Sequence, residues 1–109
     1  MVESRNSPTT DPLIIWLQGG PGYSSLASFF IENGPYNTTI DSSLSGTAAY
    51  SFTSNPYSWN NKANVMYVDQ PYGVGYSAGE WYTTRSLEWK VSHDFYKFLT
   101  NFLEQYPAY

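Results

Sequence analysis

The stretch Trp16-Leu17-Gln18-Gly19-Gly20-Pro21-Gly22-Tyr23-Ser24-Ser25 constrains this chain more than any other. The apolar run Leu13 to Leu17 reads as a buried strand. It ends in a glycine-dense turn. Ser24 and Ser25 then open an apolar-periodic stretch, Leu26 to Ile31, which reads as a short helix over 24–32 stopped by Gly34-Pro35. The positive end of that helix faces the glycine turn. Strand, turn and helix start together present main-chain N–H groups that nothing inside the chain is obliged to satisfy. The pattern predicts an anion or oxyanion site. It is also consistent with a turn that only packs a strand tightly against a helix.

Beyond this unit, residues 37–54 are rich in Ser and Thr and read as loop, with a short strand near Ala49 to Thr53. Val65 to Val68 reads as a second buried strand, and Pro71 to Gly79 as a loop. Residues 84–106 give the clearest helix. Leu87, Val91, Phe95, Phe98, Leu99, Phe102, Leu103 and Tyr106 form one apolar stripe, and Pro107 ends it. The order is βαβα, so the fold class is α/β with a mostly parallel sheet. Two central strands alone would leave both sheet edges unpaired. The expectation is a piece of a larger α/β domain, truncated at both ends.

Composition removes several function classes. The 109 residues are 19% aromatic and 13% charged, which rules against a disordered tail. Net charge is −4, which argues against nucleic-acid binding. With no cysteine and one histidine, neither a thiolate nor a histidine-cluster metal site is expected, and no cofactor is. The glycine turn lacks the Gly-Lys-Ser/Thr of a nucleotide loop. No apolar run is long enough to span a membrane. Met1 to Asp11 is polar and does not read as a signal peptide. One N-glycosylation sequon is present, Asn37-Thr38-Thr39.

Four ordered motifs carry a family resemblance over residues 12–109. The glycine passage resembles the Trp-Leu-Asn-Gly-Gly-Pro-Gly-Cys-Ser-Ser signature of the serine carboxypeptidases, a branch of the α/β-hydrolase fold. Glu32-Asn33-Gly34-Pro35-Tyr36 resembles their Glu-x-Gly-Pro-Phe. Asn55-Pro56-Tyr57-Ser58-Trp59-Asn60 resembles Asn-Pro-x-Ser-Trp-Asn. Asn64 to Pro71 with Gly73-Val74-Gly75-Tyr76-Ser77 resembles a strand followed by Pro-x-Gly-Val-Gly-Phe-Ser. The resemblance implies an incomplete α/β-hydrolase spanning 1–109. It implies a protease that releases C-terminal residues from peptides or proteins through an acyl-enzyme, in a lysosome, vacuole or secreted setting. The family's nucleophile motif, Gly-Glu-Ser-Tyr-x-Gly, and its catalytic Asp and His fall beyond Tyr109, so the chain alone is expected to be inactive. Acyltransferases built on the same triad fit this segment equally.

The resemblance also assigns roles. The N–H of Gly20 contributes to the oxyanion hole, where absence of a Cβ allows close substrate approach. Gln18 and Gly19 stand where the family's Asn-Gly pair binds the substrate's terminal carboxylate. Gln18 lengthens that amide by a methylene. Tyr23 replaces a family Cys that commonly forms a disulfide. Trp59 and Asn60 are expected to pack and bond the core beneath the site, Asp69 to serve as a loop or capping residue, and His93 to be an ordinary helix residue. Gly75-Tyr76-Ser77-Ala78-Gly79 fits Gly-x-Ser-x-Gly, yet a loop separates Ser77 from its strand and another follows it, unlike a nucleophile elbow. His93 and Asp94 are helix neighbours pointing apart, and Glu80 and Glu88 have no reason to meet His93. Ser77 therefore reads as a loop serine. Two other readings stay open: a catalytically inert or binding-only relative, and a carbohydrate- or peptide-binding module using exposed aromatics.

Overall fold

The computed structural model describes residues 1–20, 22–79 and 87–109. In chain order its elements are β1 (Leu13–Trp16), α1 (Ser25–Ile31), β2 (Tyr36–Ile40), β3 (Tyr50–Ser54), β4 (Asn64–Tyr67) and α2 (Leu87–Gln105), with 3-10 turns at Gly46–Ala49 and Trp59–Asn61. Pro21 and residues 80–86 lie outside the described residues, and with them the expected helix start at 84 and Glu80.

The apolar runs Leu13-Ile14-Ile15-Trp16 and Val65-Met66-Tyr67 form the expected parallel pair. Leu13 faces Asn64, and the register runs on to Trp16 facing Tyr67. On its other side β4 meets Val2, which exchanges two 2.8 Å main-chain hydrogen bonds with Val65. One of the two edges expected to be bare is therefore covered at that point. The second edge of β1 has no strand partner among the described residues.

The interior is more polar than apolar. Among the described residues the buried apolar side chains are Ala49, Ala63, Val65, Met66 and Val74, against eight buried Ser and Asn. Such groups are tolerated only when bonded. Asn64, 1% exposed, meets this demand fully. Its Oδ1 accepts from Ser4 N at 3.0 Å, and its Nδ2 donates to Pro8 O at 2.9 Å and Asp11 O at 3.1 Å. The Arg5 guanidinium donates to Asn55 O (2.7 Å) and Pro35 O (2.9 Å). Together they tie the N-terminal segment to β4 and to the base of the β2–β3 hairpin.

That hairpin replaces most of the loop expected at 37–54. β2 and β3 pair antiparallel from Tyr36–Ser54 to Ile40–Tyr50. Ser and Thr favour turns through their hydroxyls, but Thr is also β-branched and suits a pleated surface. Here Thr38, Thr39 and Ile40 opposite Phe52 and Tyr50 decide for strand. One face lies on α1, where Phe30 packs against Phe52 (5.8 Å between ring centres) and Phe29 against Tyr36 (6.0 Å).

The stripe on α2 forms as expected and then finds little to cover it. No residue of α2 is buried, and Leu87 and Tyr106 are 48% and 50% exposed. Its aromatic rings pack along the helix on one another instead, Phe102 lying 5.1 Å from Tyr106.

Asn64→Ala would strand Ser4 N and two carbonyls. We expect a loss of roughly 1–3 kcal/mol of stability, read as a lower urea midpoint.

Candidate active site

The turn after β1 is held from outside, because its glycines carry no side chains. At its entrance, Gln18 N donates to Ser25 Oγ at 3.1 Å, and Ser25 Oγ donates to Val68 O at 2.6 Å. At its exit, Ser24 caps α1 by accepting from Leu26 N at 3.2 Å. Asp69, just past β4, completes the clamp. Its Oδ1 accepts from Ser24 Oγ (2.6 Å) and Ser25 N (2.8 Å), and its Oδ2 accepts from Tyr76 N (3.1 Å). Its main-chain oxygen accepts from Ser77 Oγ at 2.6 Å. Asp69, expected as a loop or capping residue, is a loop residue that bonds the Ser24 cap and the first N–H of α1. Gly75 makes this approach possible: with φ at +55°, a Cβ there would lie 1.9 Å from Asp69 Oδ2.

Burial opposes the charge on Asp69, but hydrogen bonds from Ser24, Tyr76, Ser25 and Leu26 outweigh it and hold the carboxyl below its usual range. This carboxylate, with the Ser24 hydroxyl, claims part of the donor set expected at the strand, turn and helix start, while the N–H groups of Gly20, Gly22, Tyr23 and Ser24 make no hydrogen bond among the described residues. Ser25 N and Leu26 N are both taken, so α1 offers no open anion site there.

What remains is the turn itself. Gly20 is exposed, has φ of +136°, and its N–H makes no hydrogen bond among the described residues. A Cβ at Gly20 would lie 3.1 Å from Gly22 N and 3.3 Å from Tyr23 N. Gly19 N is occupied by the neighbouring side chain, donating to Gln18 Oε1 at 3.0 Å. The Gln18 Nε2 donates to Ser28 Oγ at 2.8 Å and to Glu32 Oε1 at 3.1 Å. The carboxamide therefore lies folded back over α1, closing on itself the two donors assigned to a substrate carboxylate. Tyr23 points its phenol to solvent.

Glu32 is a site residue that the sequence reading left as a motif position only. The signal was its spacing: Ser28 and Glu32 are four apart on α1's face toward Gln18. Beneath them Trp16 Nε1 donates to Ser28 Oγ at 2.9 Å, and Trp16 meets Trp59 edge-on at 5.1 Å. Asn60 is buried, accepting from Ser58 Oγ (2.6 Å) and donating to Glu3 O (3.0 Å). Burial pushes the Tyr67 phenol up to about 12.

The serine in the elbow-like pattern is not activated. Ser77 Oγ is committed to a main-chain carbonyl, and Gly73 N donates to Ser77 O at 2.7 Å to close a turn. His93 stacks on Trp89 along α2, with ring centres 5.0 Å apart. A cavity of about 470 Å³ lies between this loop and α2, and Gln18, Gly19 and Gly20 do not line it. Among the described residues no group of His, Cys, Asp and Glu is placed to hold a metal, and no helix is long and apolar enough to cross a membrane.

The depressed Asp69 carboxyl sets a pH dependence. Its contribution is present above the unfolded value of about 4 and is lost as pH falls through the lower folded value. We expect urea midpoints to fall on acidification below about pH 4. Asp69→Asn should lower the midpoint at neutral pH and flatten that acid slope, leaving the part due to Asp11 and Asp41, whose carboxyls are also held low.

A sequence model described as serine carboxypeptidase matches residues 1–109. "Serine carboxypeptidase S10 family member 1" of Dictyostelium discoideum is 50% identical over 110 residues, covering 98% of this chain and 24% of the relative. "Carboxypeptidase Y homolog A" of Trichophyton tonsurans is 46% identical over 109 residues, covering 98% of this chain and 18% of that protein. Among solved structures, Kex1Δp, a prohormone-processing carboxypeptidase from Saccharomyces cerevisiae, matches with a TM-score of 0.70 at 29% identity, covering 96% of this chain and 22% of that one. The chain thus spans about a quarter or less of the length of these relatives, and its parallel pair and helices match part of a carboxypeptidase α/β-hydrolase fold. The chain belongs to the serine carboxypeptidase family.

Proposed function

We propose that this chain supplies part of the active site of a serine-type carboxypeptidase that releases C-terminal residues from peptides through an acyl-enzyme. One observation carries the reading: Gly20 N–H, at the position the family resemblance gives to the oxyanion hole, is exposed and unbonded among the described residues. The N–H groups of Gly22, Tyr23 and Ser24 in the same turn are also unbonded, while Ser25 N, Leu26 N and Gly19 N are occupied. A serine hydroxyl attacks the scissile carbonyl as a histidine takes its proton. The carbonyl oxygen becomes negative, and Gly20 N–H donates to it. The leaving amine takes the proton back, and water then releases the acyl group by the same steps.

The attacking serine and its base come from outside these 109 residues in this reading. Two features support that. The bare edge of β1 can accept a further parallel strand, whose C-terminal end would arrive beside Gly19 and Gly20. The half-covered stripe of α2, with Leu87, Phe98, Leu103 and Tyr106 exposed, needs apolar cover of the kind a larger domain provides. Gln18 and Gly19 bind the substrate's terminal carboxylate after the Gln18 carboxamide swings off Gly19 N. The working setting is a lysosome, vacuole or the exterior, as the family resemblance implies.

A second reading, an inert relative, is favoured by the self-closed amide of Gln18. Kinetics of the protein carrying this segment separate the two. The enzyme reading expects hydrolysis of peptides with free C-termini. Gly20→Ala strains a position at φ +136° and displaces the donor, so kcat should fall about 100-fold with little change in KM. Gln18→Ala should lower kcat for free-carboxylate peptides with little change in KM and leave ester substrates unaffected. No turnover by the intact, folded protein would overturn this reading in favour of the inert one.

A further inference from the structure

We infer that Asn37 carries an N-linked glycan, on the outward face of the β2–β3 hairpin. The sequence supplies Asn37-Thr38-Thr39, and the strand sorts its three side chains. Period-two alternation puts Asn37 and Thr39 on one face and Thr38 on the other. Thr38 Oγ1 is committed inward, donating to Phe30 O at 2.6 Å. Thr39 shares a 2.5 Å hydroxyl contact with Ser51 across the hairpin, and Asn37 stands opposite Thr53.

All four outward residues, Asn37, Thr39, Ser51 and Thr53, are exposed. The Asn37 carboxamide makes no hydrogen bond among the described residues. The two faces of the hairpin differ in what they can bury. The inward one carries Tyr36, Ile40, Tyr50 and Phe52, and part of it already lies on α1. The outward one is a strip of one amide and three hydroxyls with almost no apolar area to drive association. Further protein packed around this segment therefore has reason to cover the aromatic face and none to cover this one. Oligosaccharide transfer precedes folding, so the folded protein must leave room for the sugar afterwards, and this strip does.

The donor is an oligosaccharide on a lipid pyrophosphate. Asn37 Nδ2 forms a bond to the first sugar's C1 as the bond from C1 to the phosphate oxygen breaks. The lipid pyrophosphate leaves with the electron pair, and the amide gives up one proton. Exposure of this chain to that donor in nature rests on the secretory setting proposed above.

The test separates the site from the setting. The full chain is expressed in a eukaryotic host behind a cleavable secretory leader, and its mass is read from medium and microsomes, so secretion itself is not required. Expected is one glycan's mass, removed by peptide N-glycosidase with conversion of Asn37 to Asp in the mapped peptide. Asn37→Gln and Thr39→Ala should each abolish it, and Thr39→Ser should retain it. An unmodified Asn37 in leader-processed chain would overturn the proposal whatever the peptidase assay gives. A glycan there with no peptidase activity in the intact protein would uphold the site while overturning the catalytic reading.

Discussion

The carboxylate of Asp69 is the point on which the local structure turns. It joins the end of β4 to the cap of α1 through Ser24 and Ser25, and to the following loop through Tyr76. Those contacts span sequence separations of more than 40 residues on one side and seven on the other. A glycine turn cannot fix its own shape, since Gly19, Gly20 and Gly22 are free to adopt many backbone conformations and have no side chains to anchor. Its shape is imposed by pinning both ends to β4. The same carboxylate takes Ser25 N, Ser24 takes Leu26 N and Ala27 N, and the negative charge offsets the positive end of α1. A permanent anion therefore gains little there. Among the described residues of the turn, the main-chain N–H groups of Gly20, Gly22, Tyr23 and Ser24 make no hydrogen bond, and that of Gly20 lies nearest the end of β1.

The rest of the segment is organised in the same manner, by hydrogen bonds between distant pieces more than by apolar mass. Asn64 gathers the N-terminal segment, Arg5 reaches the hairpin base, and the Asn55 amide donates to Gly34 O at 2.9 Å. Bonds of this kind specify geometry well because any slip leaves a buried group unpaired. They contribute less net stability than burial does. The apolar surface that would add stability sits on α2 and along β1, only half covered. In the proposed function these surfaces have a role: they are where the remainder of a carboxypeptidase domain closes.

Periodicity made the parallel pair and both helices legible, because each buries or aligns a run of apolar residues that only one period can explain. The β2 strand was not legible. Asn37, Thr38 and Thr39 suit a turn as well as a strand, and only Phe52 and Tyr50, ten or more residues away, settle the choice. The place of Asp69 at the end of a parallel strand was readable. Its contact with Tyr76 was not, since that depends on the positive φ of Gly75 and on the lack of a Cβ there. The fold-back of Gln18 was equally hidden. It depends on a rotamer, and Ser28 and Glu32 enter the site only once α1 is placed.

That fold-back bears on how strongly a carboxylate can be held. An asparagine here would be one methylene shorter and less able to reach its own neighbour's N–H and α1 together. Gln18 has the reach, and uses it for bonds to Gly19 N, Ser28 and Glu32. Two of these are neutral bonds, contributing about 0.5–1.5 kcal/mol each, and the bond to the Glu32 carboxylate is charge-assisted at about 1.5–3 kcal/mol. A substrate carboxylate taken by Gln18 and Gly19 replaces them with two charge-assisted bonds of about 1.5–3 kcal/mol each. The exchange is close to even. In the proposed function, net affinity for a peptide terminus would then come from other contacts along the peptide, and Gln18 and Gly19 would act mainly to set where the terminus lies relative to Gly20.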